Sequence, residues 1–272
     1  QQEIINYFEF VLSSIKNDLY EIAPKKNIKE IPVYEQSFNE VEKKADFEAV
    51  MVADIKEDDT NLINMIEDFK KSFPYKIRVV NIREFPFSGG CLGCFNCAAS
   101  GKCIYKDGFD SFLRENIQTG NAIIIAFSIK DHSMGARFKM YDDRQFCNGH
   151  RTVTEGMPFA YIINGDYEAE HNLKTIVEAR AEVGGNYLAG VAYDKETLMA
   201  TSKKLAYAIE NKITFPRNFY GVGGMKIFRD LIWIMRGIMK ADHDYYKKHG
   251  VYDFPQKKRG TMILMCLLGS MM

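Results

Sequence analysis

"AIIIAFS", residues 122–128, is the stretch on which the fold turns. It is a short, unbroken apolar run closed by a serine, the length of a buried strand rather than a helix. Runs of the same kind flank it on both sides. "FEAVMVAD" (47–54) and "KIRVVNI" (76–82) precede it, and "PFAYIIN" (158–164) and "YLAGVAYD" (187–194) follow. Between these runs the apolar spacing changes to that of helices. "TNLINMIEDFKKSF" (60–73) places Leu62, Ile63, Ile66 and Phe69 on one face, with Thr60 as N-cap. A short helix is predicted around 109–117 and others at "GARFKMYDDR" (135–144) and "NLKTIVEARAEV" (172–183), the latter ended by Gly184 and Gly185. "KETLMATSKKLAYAIENK" (195–212) closes the series.

Strands alternating with helices imply right-handed crossovers and a parallel sheet, here covered on both faces. The predicted fold class is α/β: a five-stranded flavodoxin-like sheet of order 2-1-3-4-5, with N- and C-terminal helical extensions. In such sheets ligands bind beyond the carboxyl ends of the strands. The loops after Asp54, Ile82, Phe127 and Ile163 therefore border one crevice.

The predicted domain runs over residues 46–213. Residues 1–45 read as a helix (Ile4, Ile5, Phe8, Val11, Leu12, Ile15 on one face) and a polar connector, the expected tail of an upstream domain, since the chain starts at Gln1 rather than Met. Residues 214–272 read as a helical appendage: one long helix over "GGMKIFRDLIWIMRGIMKADHDYYKKHG", then an apolar "GTMILMCLLGSMM" too short to span a bilayer. "GVGG" (221–224) lacks a preceding strand and a later glycine, so it reads as a helix entry, not a dinucleotide fingerprint.

Of 272 residues, 46% are hydrophobic and 26% charged, with formal net charge zero. Nothing in this balance points to nucleic acid, and neither a secretory signal nor a transmembrane run is visible. Six cysteines are too few for a secreted disulfide scaffold, so a reducing, cytoplasmic location is expected.

Four of them, Cys91, Cys94, Cys97 and Cys103, fall within thirteen residues of the loop "GGCLGCFNCAASGKCIYKDGFD". C-x2-C-x2-C-x5-C supplies four soft ligands, and the compact triplet suits a cubane iron-sulfur cluster. Structural zinc prefers two separated knuckles. Zinc and metal-free thiols stay open at this point. Gly93 and Gly101 let the backbone wrap closely. Cys147 and Cys266 read as isolated small hydrophobes.

A flavodoxin-like sheet with this cysteine loop after its second strand resembles the iron-sulfur flavoproteins, within the NADPH-dependent FMN reductase group. The resemblance extends to "AIIIAFSIKDHSMGARFKMYDDR", with Ser133 and Met134 at a turn and Lys139, Asp143 and Arg144 on the next helix. It implies an NAD(P)H-dependent, FMN reductase-like oxidoreductase or electron-transfer protein that couples FMN to a 4Fe-4S cluster. It implies a homo-oligomer with NAD(P)H or ferredoxin as redox partner. The cluster ligands would be the four loop cysteines. The flavin would meet Thr60 and Asn61, then Ser128, Ile129, Lys130, Asp131, His132, Ser133 and Met134, and finally Asn164, Gly165 and Asp166. Lys130 and His132 would face the ring; the plainer reading of His132 is a solvated loop histidine. Lys139, Asp143 and Arg144 read as holding helix and loop in place, and no catalytic residue is assigned.

One departure stands out. The family's phosphate loop is rich in Gly, Ser, Thr and Arg, whereas this chain has "DIKEDDTN" (54–61). Glu57, Asp58 and Asp59 would face the phosphate dianion, with Lys56, Thr60, Asn61 and the helix start favouring it. A scaffold or docking module that has lost FMN is the alternative, as is a domain with structural zinc.

Overall fold

The structure, a computed structural model, describes residues 2–19, 32–214, 219–252 and 259–271. Contacts divide the chain into two units, Gln1–Ile31 and Pro32–Met272. The first contains α1 (Gln2–Lys16), whose polar face is tied by Gln2 to Asn6 and by Ser14 to the Phe10 carbonyl. Much of the predicted connector, residues 20–31, lies outside the described residues.

In the second unit, residues 32–43 form an irregular strap along α2 (Thr60–Ser72). The Tyr34 N–H donates to Asn61 Oδ1 at 3.0 Å and the Ser37 N–H to Asp68 Oδ2 at 2.8 Å. The Lys43 ammonium caps the last turn of α2 through the carbonyls of Lys70 (2.5 Å) and Phe73 (2.9 Å). The Lys43 contacts satisfy carbonyls at the end of α2 that have no partner within the helix.

The sheet contains β1 (Lys44–Ala53), β2 (Tyr75–Asn81), β3 (Ala122–Ser128), β4 (Phe159–Asn164) and β5 (Leu188–Ala192), all parallel in the order β2-β1-β3-β4-β5. The fold is flavodoxin-like, as its sequence predicts. Besides α2, the crossover segments carry α3 (Asn96–Ser100), α4 (Phe109–Phe112, continued by a π-helical turn over Leu113–Ile117), α5 (Gly135–Arg144) and α6 (His171–Gly184), and α7 (Lys195–Glu210) follows β5. Gly185 ends α6 in the left-handed conformation (φ 65°), and Asp194 with Thr197 forms a capping box at the start of α7.

Both sheet faces are dry, which is why the strands read as unbroken apolar runs. Successive side chains still alternate. Ile124 and Ala126 of β3 join Met51, Phe69 and Leu205 on one face. Ile123, Ile125 and Phe127 join Phe109, Phe138 and Val177 on the other.

The C-terminal part departs from the single predicted helix. It breaks into α8 (Phe219–Ile234) and α9 (Lys240–Lys248), followed by α10 (Arg259–Ser270). The break contains Gly237, where the α10 backbone crosses so closely that a Cβ would overlap the Met265 carbonyl oxygen. Only glycine accepts that crossing. Residues 221–224 lie inside α8. Among the described residues no helix is long and apolar enough to cross a membrane.

Candidate functional site

Two places gather chemistry, one at each end of α5. The helix has ten residues, so it is about 15 Å long at 1.5 Å per residue.

At its N-terminal end lies the strand-end crevice. Ser128 and Asn164 are the last register partners of β3 and β4. Both side chains converge on Asp59. The Ser128 hydroxyl reaches its two carboxylate oxygens at 2.8 and 2.7 Å, and the Asn164 amide donates to Asp59 Oδ1 at 3.3 Å and to Ser128 Oγ at 2.9 Å. Asp59, not Thr60, is the N-cap position of α2, yet its side chain makes no cap bond. Thr60 is exposed in the first turn. The Asn61 amide is engaged with the strap, donating to the Pro32 carbonyl at 3.3 Å and accepting from Tyr34. Asp54, buried at the end of β1, is paired with Arg83 at 2.7 Å.

The loop after β3 is a tight reversal. The N–H and carbonyl of Lys130 bond the carbonyl and N–H of Ser133 at 2.8 and 2.9 Å. Asp131 (φ 49°) and His132 (φ 59°) both occupy the left-handed region. Two consecutive non-glycine residues there store backbone strain, a feature that concentrates at binding loops. His132 Nδ1 stands 2.9 Å from Glu170 Oε1, so the exposed ring is tethered. Met134 is buried beneath the turn. The Ile129 N–H bonds the Asn164 carbonyl at 2.8 Å, and Ile129 covers Gly165, where a Cβ would lie 2.9 Å from its Cδ1. Asp166 caps the following 3-10 turn through the Ala169 N–H at 3.3 Å.

At the other end of α5 is a cavity of about 330 Å³ lined by Cys91, Cys94, Cys97 and Cys103. The crossover from β2 leaves the crevice edge and carries its cysteines down to the C-terminus of α5, so they stand a helix length from the loop at 130–133. Arg144, 1% exposed, fixes both ends of this loop. Its guanidinium donates to the Gly89 carbonyl at 2.8 Å and to both Asp107 oxygens at 3.0 and 2.7 Å. It also lies over the rings of Tyr105 (4.5 Å) and Phe109 (4.8 Å) and reaches the sulfur of Cys103. Burial works against the Asp107 charge, but Arg144 and the N–H groups of Ser88 and Phe109 outweigh it and lower its pKa to about 2. Lys139 pairs with Asp143 one turn away on the surface. The positioning role read for these residues is thus the one the contacts give to Arg144.

Within the loop, Gly93 (φ 62°), Phe95 (φ 60°) and Gly101 (φ 77°) occupy the left-handed region and make its reversals. The Cys97 thiol donates to the Phe146 carbonyl at 2.8 Å. Burial pushes its pKa up, partly offset by the nearby Gly149 N–H, which itself donates to the Phe146 carbonyl at 2.7 Å.

Three residues that the sequence does not mark belong to this cavity or brace it. Cys147, 3% exposed, lines it as a fifth thiol, its pKa pushed up to about 12 by burial. His150 lines it as well, held by the fully buried Asp242 of α9 at 2.9 Å from Nδ1. The Tyr246 hydroxyl donates to the His150 carbonyl at 2.7 Å, and the His150 imidazole packs between Phe95 and Phe228 at 6.1 and 4.9 Å. Gly149 is required here: it has φ 60°, and a Cβ would overlap the Asp242 carboxylate. The appendage therefore forms part of the cavity's support. Its contact with residue 150 spans ninety-two positions, beyond any local pattern.

Four thiols share one cavity, with the Arg144 guanidinium beside Cys103. Among the described residues no three His, Cys, Asp or Glu side chains stand close enough to hold a metal ion as folded. At the crevice, the turn at 130–133 presents a fixed backbone edge. The phosphate end, as folded, does not fit a dianion, because Asp59 already occupies the Ser128 and Asn164 donors.

No family model and no curated protein matches the chain. Among solved structures it is similar to an NAD(P)H:quinone oxidoreductase from Methanothermobacter marburgensis (12% identity, 63% of this chain and 98% of that one, TM-score 0.43). It is similar to a flavodoxin, WrbA-like protein from Agrobacterium tumefaciens (13% identity, 61% and 97%, TM-score 0.38). A third is an FMN-dependent NADH-azoreductase from Bacillus anthracis in complex with FMN (11% identity, 60% and 98%, TM-score 0.39). The fold assignment rests on the sheet order of this chain itself.

Proposed function

We propose that this chain is a flavin-dependent oxidoreductase or electron-transfer protein with FMN at the strand ends and a 4Fe-4S cluster at Cys91, Cys94, Cys97 and Cys103. The observation that carries the reading is the shared cavity: four thiols set apart in a loop line one space, one helix length from a strained strand-end turn. When bound, a flavin exchanges electrons singly or in pairs and a cluster exchanges them singly. NAD(P)H or a ferredoxin-type carrier is the partner of this reading, and the working form is a homo-oligomer.

The chain's own residues do the arranging. Arg144 keeps the ends of the cysteine loop together and sets a positive charge by Cys103. As a cluster ligand Cys97 would be a thiolate and would give up its thiol bond to the Phe146 carbonyl. At the crevice, residues 128–134 present a rigid backbone edge, with Lys130 and His132 beside it.

Absorption spectra of anaerobically purified protein, before and after added FMN, test both halves. Flavin bands and a broad cluster absorption are expected, and Cys94→Ser, at an exposed position, removes the cluster absorption but leaves the fold and the flavin. A second reading, a flavodoxin-like docking module without flavin, is favoured by the Asp59 contact. A colourless protein that refuses added FMN establishes that reading and overturns the first.

A further inference from the structure

The phosphate end of the crevice holds an anion that the chain itself provides. An N-cap aspartate ordinarily accepts from the N–H groups of its own helix. Asp59 does not; its carboxylate crosses the crevice to the ends of β3 and β4. There it takes the hydroxyl of Ser128 and the amide of Asn164, the side-chain donors at this end of the crevice. Asp54, also at the end of β1, is buried and engages Arg83, so that guanidinium already holds a carboxylate. Exposed Glu57 and Asp58 add like charge on the solvent side.

From this arrangement we infer that Asp59 is the specificity-determining residue of the crevice, standing where a phosphate would and cancelling the affinity a phosphate would add. The inference rests on the flavin reading above and sharpens it. The ligand is recognised through its ring and ribityl chain, so FMN is a loosely held, exchangeable flavin rather than a resident one. A phosphate entering this end meets a carboxylate already bonded to its donors, and it must displace that carboxylate or lie against it.

The test is titration of the full-length chain with FMN and with riboflavin, which differ only in the phosphate, followed by flavin fluorescence. Wild type is expected to bind the two within about threefold of each other. Asp59→Ser frees Ser128 and Asn164 and removes the charge; it is expected to tighten FMN about tenfold, about 1.4 kcal/mol, and to leave riboflavin within about threefold. Asp59→Asn, which keeps the shape and removes the charge, shifts the ratio in the same direction. A wild type that prefers FMN by about thirtyfold or more, or a ratio unchanged in both variants, overturns the role of Asp59 and leaves the flavin reading standing. Binding of neither flavin by any of the three folded proteins overturns the flavin reading and this inference with it. Should a variant fail to fold, the wild-type ratio decides alone.

Discussion

Replacing Arg144 with Met tests the support of the cysteine loop. The guanidinium and the Asp107 carboxylate are 1% and 4% exposed and share two bonds of 3.0 and 2.7 Å. Removing one partner of such a pair strands the other charge away from water, which costs about 3–5 kcal/mol. Met restores some packing against Tyr105 and Phe109 but not the cation–ring attraction, about 0.5–2 kcal/mol. We therefore expect Arg144→Met to lose about 4 kcal/mol, a large share of a typical domain's stability. Urea unfolding at pH 7 with an unchanged m-value measures it.

The pH dependence gives a second signature. The folded pKa of Asp107 is lowered to about 2, against about 3.9 unfolded, so its contribution is fully present above about pH 5. It is lost as pH falls through the folded pKa. The shift of about 1.9 units corresponds to about 2.5 kcal/mol. The gap between wild type and Arg144→Met should narrow by about that amount between pH 5 and about pH 1. A double-mutant cycle with Asp107→Asn should show coupling above about 2 kcal/mol. A loss below about 1 kcal/mol at pH 7, or coupling near zero, refutes the staple.

Gly149→Ala forces a Cβ onto the Asp242 carboxylate at a left-handed φ, so a loss of about 2–4 kcal/mol is expected by urea unfolding, far more than an ordinary surface change. In metal-free protein at pH 8, iodoacetamide should label the exposed Cys91 and Cys94 and spare the buried Cys147, whose thiol pKa is pushed up to about 12. Peptide mass spectrometry reads the sites, and early labelling of Cys147 in folded protein contradicts its placement.

The sheet was legible because each strand is a short apolar run with a helical pattern after it, and right-handed crossovers leave few parallel orders, of which 2-1-3-4-5 is the natural candidate for five strands. Element ends at α5 coincide with the predicted ones, since Gly135 and Arg144 bound a clean helical pattern. The N-cap of α2 was less legible: Thr60 looks like a cap, but the capping position belongs to Asp59, whose side chain is drawn to Ser128 across the sheet. The four clustered cysteines announce themselves by spacing. Cys147, His150 and Asp242 do not, because a lone cysteine looks like a core residue and the pairing of positions 150 and 242 exists only after α9 packs against the loop. The break between α8 and α9 is set by a backbone crossing at Gly237, which composition does not encode.

The most direct test of the central claim is iron and acid-labile sulfide per chain in anaerobically prepared protein, with electron paramagnetic resonance after dithionite reduction. About four of each per chain are expected, with a reduced-cluster signal absent from Cys94→Ser. Stoichiometric zinc, or protein free of iron and sulfide after anaerobic reconstitution, contradicts it.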